Sequence, residues 1–101
     1  MLLAFSVAPA TTNSPDGSVH NTVAKAIKVI RDSGLPREEG SMFTTIEGTW
    51  DECFDVVRRA TEAVQEDSDR VSLVIKCDIR PGYTGQITAK LDRITEILGE
   101  G

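Results

Sequence analysis

Between Arg70 and Arg80 every second residue is apolar, and no other feature limits the fold of this chain so strongly. Val71, Leu73, Ile75, Cys77 and Ile79 fall on one side of an extended backbone, and Ser72, Val74, Lys76, Asp78 and Arg80 on the other. A period of two sustained over this length does not suit a helix. It predicts a strand with one face in a core, ended by Pro81-Gly82. Such a strand needs a sheet packed on one side and a reason for what stands on the other.

Two further segments alternate. Near the start, Leu3, Phe5 and Val7 oppose Ala4, Ser6 and Ala8, and Pro9 closes the run because proline has no N–H to give a ladder. From Met42 to Glu47, Met42, Thr44 and Ile46 point one way; Phe43, Thr45 and Glu47 point the other. Gly48 then permits a turn, and Thr49 with Glu52 three residues on forms a capping box that starts a helix.

Three helices are expected. The first starts at or near Ser18 after a small polar loop from Ala10 to Gly17. It carries Val19, Val23, Ala26, Ile27 and Ile30 on one stripe, and Gly34 and Pro36 close it. The second runs from Trp50 to about Glu66 with Cys53, Val57, Ala60 and Val64 inward and Phe54 beside them. Arg58 and Arg59 are balanced by Glu62 and Glu66 on its solvated side. The third spans about Thr84 to Leu98 and aligns Ile87, Leu91, Ile94 and Leu98. Residues 35–40, with Pro36 and three charges, suit a short edge strand, and Gly40-Ser41 is its hairpin turn.

The order β-α-β-β-α-β, followed by a helix, predicts a ferredoxin-like α+β fold in one domain over residues 1–101. Two helices cover one face of a four-stranded antiparallel sheet. The first and last strands are expected as central neighbours, with the Met42 strand beside the first. Leu3, Phe5, Val7, Met42, Ile46, Val71, Leu73 and Ile75 should meet the helices. The opposite face collects Ala4, Ser6, Ala8, Phe43, Thr45, Glu47, Val74, Lys76 and Asp78. That surface is too apolar to stand open on a lone chain, so a second subunit or the third helix should cover it. A cavity trapped there, with hydroxyls and carboxylates among small apolar groups, suits a small ligand.

Charge excludes some functions. Eleven basic against sixteen acidic residues give a net charge of -5, and no Lys/Arg cluster offers a nucleic-acid surface. Cys53 and Cys77 lie in no metal-ligand spacing and read as free thiols in a reducing compartment. The apolar run Met1 to Ala8 lacks a basic flank and is too short for a signal peptide or membrane span, so a cytoplasmic protein without a membrane partner is expected. His20 stands off the apolar stripe and reads as a surface residue, with no nucleophile as its partner. Trp50 reads as a packing anchor.

The segment Phe43-Thr-Thr-Ile-Glu-Gly-Thr-Trp-Asp-Glu52 resembles the "G-T-x-I-E-G" strand and following helix of the small thiamine-binding proteins. Ile75-Lys-Cys-Asp-Ile-Arg80 is similar to that family's last strand, "I-K-I-D-x-R", and Gly17-Ser18 to its first helix start. The chain departs at Thr44, where glycine is common, at Cys77, where an aliphatic residue is favoured, and at Arg37-Glu-Glu39, which replaces a more apolar edge. The resemblance implies a ferredoxin-like fold, dimers paired into tetramers, and non-catalytic binding of thiamine or hydroxymethylpyrimidine at sheet-face interfaces, with no other cofactor. The residues matched to such a ligand are Ser6, Ser18, Phe43, Thr45, Glu47 and Asp78. Glu47 or Asp78 would accept from the aminopyrimidine or offset the thiazolium charge, the three hydroxyls would complete the hydrogen bonds, and Phe43 would lie against a ring. Other readings stand beside it: Glu47 and Asp78 pairing with Lys76 or Arg80 as sheet-surface salt bridges, a structural or regulatory module whose sheet face is only an oligomer contact, and an enzyme with a carboxylate base.

Overall fold

The computed structural model describes residues 1–10, 20–82 and 84–99. Strands β1 (Leu2–Pro9), β2 (Arg37–Glu39), β3 (Thr44–Glu47) and β4 (Val71–Asp78) form one sheet, and α1 (His20–Asp32), α2 (Trp50–Gln65) and α3 (Ala89–Leu98) complete the order β-α-β-β-α-β-α. The strand order is β2-β3-β1-β4, with every neighbouring pair antiparallel. This is the expected ferredoxin-like arrangement.

Registers place the alternation as the sequence implies. Leu3 faces Ile46 on one side and Cys77 on the other; Phe5 faces Thr44 and Ile75. These residues look toward α1 and α2. The core is built there from Leu3, Phe5 and Ile46 of the sheet, Ala26 and Ile30 of α1, and Cys53, Val56, Val57, Ala60 and Val64 of α2. Each is at or below a few per cent exposed, which is the burial the helical spacing demands. The start of α2 is held by both halves of its capping box: Thr49 N–H donates to the Glu52 carboxylate at 2.9 Å, and Glu52 N–H to the Thr49 hydroxyl at 3.2 Å. These bonds hold the Glu52 carboxyl below its usual range, the Thr49 backbone N–H contributing most.

Four details differ from the sequence expectation. The last strand pairs with β1 but stands at the sheet edge, leaving β1 and β3 in the centre. β3 begins at Thr44, not Met42, because residues 40–43 form the hairpin loop, closed by Gly40 N–H to the Phe43 carbonyl at 2.9 Å. Met42 is therefore 78 % exposed rather than in the core. α3 begins at Ala89 rather than near Thr84, since Gly85 sits at φ +65°, outside helical geometry. α3 makes no extended contact with another described element, and Ile97 at its end is 81 % exposed. The start expected at Ser18 lies outside the described residues.

Candidate functional site

The face of the sheet turned away from α1 and α2 carries its polar groups in an ordered way. Leu2 on β1 lies opposite Glu47 on β3 and opposite Asp78 on β4. The two carboxylates thus flank one leucine on the same face, with α-carbons about 10 Å apart at two strand spacings. One step along β1, Ala4 lies between Thr45 and Lys76, and one step further Ser6 faces Val74.

Glu47 is the buried member, 8 % exposed. Its backbone N–H donates to the Pro36 carbonyl at 3.0 Å, which fixes the residue at the end of β3. Its carboxylate accepts the Gln86 N–H, with both oxygens 3.1 Å from that nitrogen. The segment between β4 and α3 folds back over the sheet to make this bond, and Gly82 and Gly85, both at positive φ, let it do so. Glu47, Asp78, Leu2, Met1, Arg80 and Gln86 enclose a cavity of about 10 Å³, room for one water. Among the described residues, the ion pairs all lie on the helical side and on β2; none involves Glu47, Asp78 or Lys76.

The other end of the sheet offers a different space. Where β3 stops short, Ser6, Phe5, Val23, Ile30, Phe43 and Thr44 line a groove of about 230 Å³ between β1, α1 and the 40–43 loop. Ser6 and Phe43 therefore share a wall, but they stand four residues, or ~13 Å, from the Leu2 end. Thr45 sits between the two groups. Ser18 lies outside the described residues, as does the side chain of His20. The structure thus brings Glu47 together with Asp78 and, separately, Ser6 with Phe43. The Gln86 amide had no side-chain signature to announce it; the turn-forming sequence Pro81-Gly82 and Gly85 was the available hint.

Trp50 stacks on Phe54 with ring centres 5.6 Å apart and planes 9° from parallel, and remains 56 % exposed. Cys53 and Cys77 are both free, and burial pushes the Cys53 thiol up from its ordinary value. Among the described residues no cluster of three metal-ligating side chains occurs, and no helix is long and apolar enough to cross a membrane.

A four-stranded ferredoxin-like sheet, with α1 and α2 on one face and a buried carboxylate on the other, defines a class of small α+β proteins. Within it, this chain belongs to the thiamine-binding protein family, whose sequence pattern matches residues 3–95. A UPF0045 protein of Mycobacterium bovis is 48% identical over 99 residues, covering 97% of this chain and 94% of that protein. The structure of a domain of unknown function from Bacillus cereus superposes with a TM-score of 0.79 at 36% identity, covering 89% of this chain and 85% of its own. A candidate thiamine biosynthesis/salvage protein of Thermotoga maritima gives 0.76 at 27% identity, covering 92% and 96%. The family is one of binding proteins, and membership supports vitamin or pyrimidine binding without catalysis as the general role.

Proposed function

We propose that this chain binds thiamine or its hydroxymethylpyrimidine part on the open sheet face, around Glu47, in a pocket completed by a second copy of the chain. The observation that carries the reading is the Glu47 carboxylate. It is nearly buried, held at the end of β3, and both its oxygens lie 3.1 Å from one N–H nitrogen. An aminopyrimidine presents N–H donors of that kind, and a carboxylate in a partly desolvated site accepts them strongly. Asp78, across Leu2, supplies a second negative charge suited to the thiazolium cation. Thr45 adds a hydroxyl on the same face and Ser6 lies further along it, while Phe43 belongs to the separate groove beside α1.

A cavity of about 10 Å³ does not hold a vitamin, so the single chain presents one wall of the site and not an enclosed pocket. Displacing the Gln86 amide frees Glu47, and a second sheet laid over the first encloses the ligand. Val74 is 51 % exposed on this face, apolar surface that such a contact removes from water. The cytoplasm, where thiols stay reduced, is the compartment that fits free Cys53 and Cys77.

Calorimetric titration of thiamine, then hydroxymethylpyrimidine, into wild type and Glu47→Gln tests this. A ligand of about eighteen heavy atoms at ~0.4 kcal/mol each gives ~7 kcal/mol, or low-micromolar affinity. The substitution should weaken it at least tenfold, roughly 1.4 kcal/mol. No heat from either compound with folded wild-type protein overturns the proposal. The same result would favour the reading of the sheet face as an assembly surface alone, which the water-sized cavity also suits.

A further inference from the structure

We propose that the link from β4 to α3 is a self-inhibiting strap, in which the Gln86 N–H stands in for a ligand's donor on Glu47 and must leave before a ligand binds there. The inference rests on the reading of Glu47 as the ligand's acceptor, and adds how access to that acceptor is controlled.

In the closed form the strap excludes a competitor. Both Glu47 oxygens lie 3.1 Å from the Gln86 nitrogen, and the residue is 8 % exposed. Gln86 and Arg80 join Glu47 in lining a cavity of about 10 Å³, which admits a water and no organic ligand. A donor arriving from outside meets an acceptor that already holds one. Because that acceptor is a carboxylate, the bond is of the stronger, charge-assisted kind.

Little else ties the strap to the sheet. Between Thr84 and Gly99 the other hydrogen bonds among the described residues run within the segment. Gln86 Nε2 donates to the Thr84 carbonyl at 2.9 Å, the Ala89 N–H to the Gln86 carbonyl at 3.3 Å, and the Asp92 N–H to the Thr88 carbonyl at 2.9 Å. Pro81, Gly82, Thr84 and Gly85 are exposed, and Gln86 is only partly covered. α3 beyond them makes no extended contact with another described element. A segment with few buried apolar contacts, held by a polar latch, opens at low cost. Glu47 stays where it is when the strap leaves, because it pairs with Leu2 of β1 and its own N–H bonds the Pro36 carbonyl at 3.0 Å.

Two independent changes should open the strap. Gly85 sits at φ +65°, and a Cβ there would meet nothing within 4 Å. Alanine at this position therefore strains the closed turn without a clash. Proline at Gln86 removes the donor itself. Gln86 begins the turn into α3, accepting the Ala89 N–H, and the start of a helical turn tolerates proline.

A closed strap lowers apparent affinity by the fraction of molecules that are open. With about one molecule in ten open, freeing Glu47 tightens binding about tenfold. Amide exchange at Gln86, followed by NMR in the ligand-free chain, and calorimetric titration of thiamine read the same equilibrium. Exchange at Gln86 in the wild type should be about tenfold slower than in an unstructured chain. Gly85→Ala should quicken it about threefold and tighten thiamine binding by the same factor, since both follow the open fraction. Gln86→Pro should bind thiamine about tenfold more tightly than the wild type. An unprotected Gln86 amide in the wild type overturns the strap, whatever thiamine does. A protected amide, with neither variant binding more tightly than the wild type, overturns it as well. The wild-type titration then separates the two ideas: saturable heat keeps Glu47 as a ligand's acceptor, and no heat sinks both.

Discussion

The two edges of this sheet are built by opposite rules. The β2 edge is three residues long, Arg-Glu-Glu, follows a proline, and is exposed throughout. Its Glu39 is clamped by Arg31 of α1 through two hydrogen bonds of 2.9 and 2.8 Å and by Arg37 at 3.0 Å. The β4 edge is eight residues long, apolar at its centre, and without a proline. A short charged edge tied to its own helix resists an incoming strand, whereas a long apolar edge invites one. The same sheet therefore closes one side to association and leaves the other ready for it.

The largest expected effect comes from breaking the closed edge at its hairpin. A Cβ on Gly40 would sit 2.7 Å from the Phe43 carbonyl oxygen, a backbone atom that must move to make room. Gly40→Ala should cost about 2 kcal/mol and lower the melting temperature by roughly 10 °C. Hydrogen exchange should then quicken at residues 37–39 and leave 71–78 unchanged. A melting temperature within a degree of wild type would show that the loop absorbs the methyl group. A smaller effect on the fold, with a larger one on assembly, is expected at the open edge. Val74→Lys gives β4 the protection β2 already has. Stability should stay within about 0.5 kcal/mol of wild type while any self-association of the wild type through this edge weakens. An oligomer of unchanged size would remove the contrast between the edges.

How far this was legible in the sequence depends on what each feature asks of its neighbours. Alternation at Leu3–Val7 and Val71–Ile75 and the Thr49/Glu52 capping box are local; the structure keeps both registers and closes the box, but Leu73 and Ile75, expected in the core, are 39 % and 37 % exposed. Sheet order is not local. A strand as apolar as β4 reads as central, yet it stands at the edge, paired on one side with β1 alone. Met42 fits the alternation of Ile46 but belongs to the loop, because the Gly40–Phe43 hydrogen bond turns the chain first. The carboxylates of Glu47 and Asp78 could be placed on one face from parity alone. The Gln86 amide that occupies Glu47 could not, since a backbone donor carries no residue-specific sign.

The smallest effect concerns Glu39 and shows whether its ion pairs stabilise the closed edge. Arg31, and after it Arg37, hold the Glu39 carboxyl down at about 2, against an ordinary value of 4.5. A depressed carboxyl adds stability that is fully present above its unfolded value and is lost as pH falls through its folded one. The contribution should therefore be intact at pH 6, shrink between about 4.5 and 2, and vanish below. Both side chains remain open to water, which screens the pairs and keeps the effect small. Melting temperatures of wild type and Glu39→Gln, measured in parallel from pH 6 to pH 2, isolate this residue. The acid sensitivity of Asp55 and Asp67, also held low by their basic partners, is common to both proteins and cancels. The wild type should lead at pH 6 and the two curves should converge toward pH 2. Parallel curves would mean that the Arg31–Glu39 contact contributes nothing, and that β2 resists pairing through its shortness and Pro36 alone.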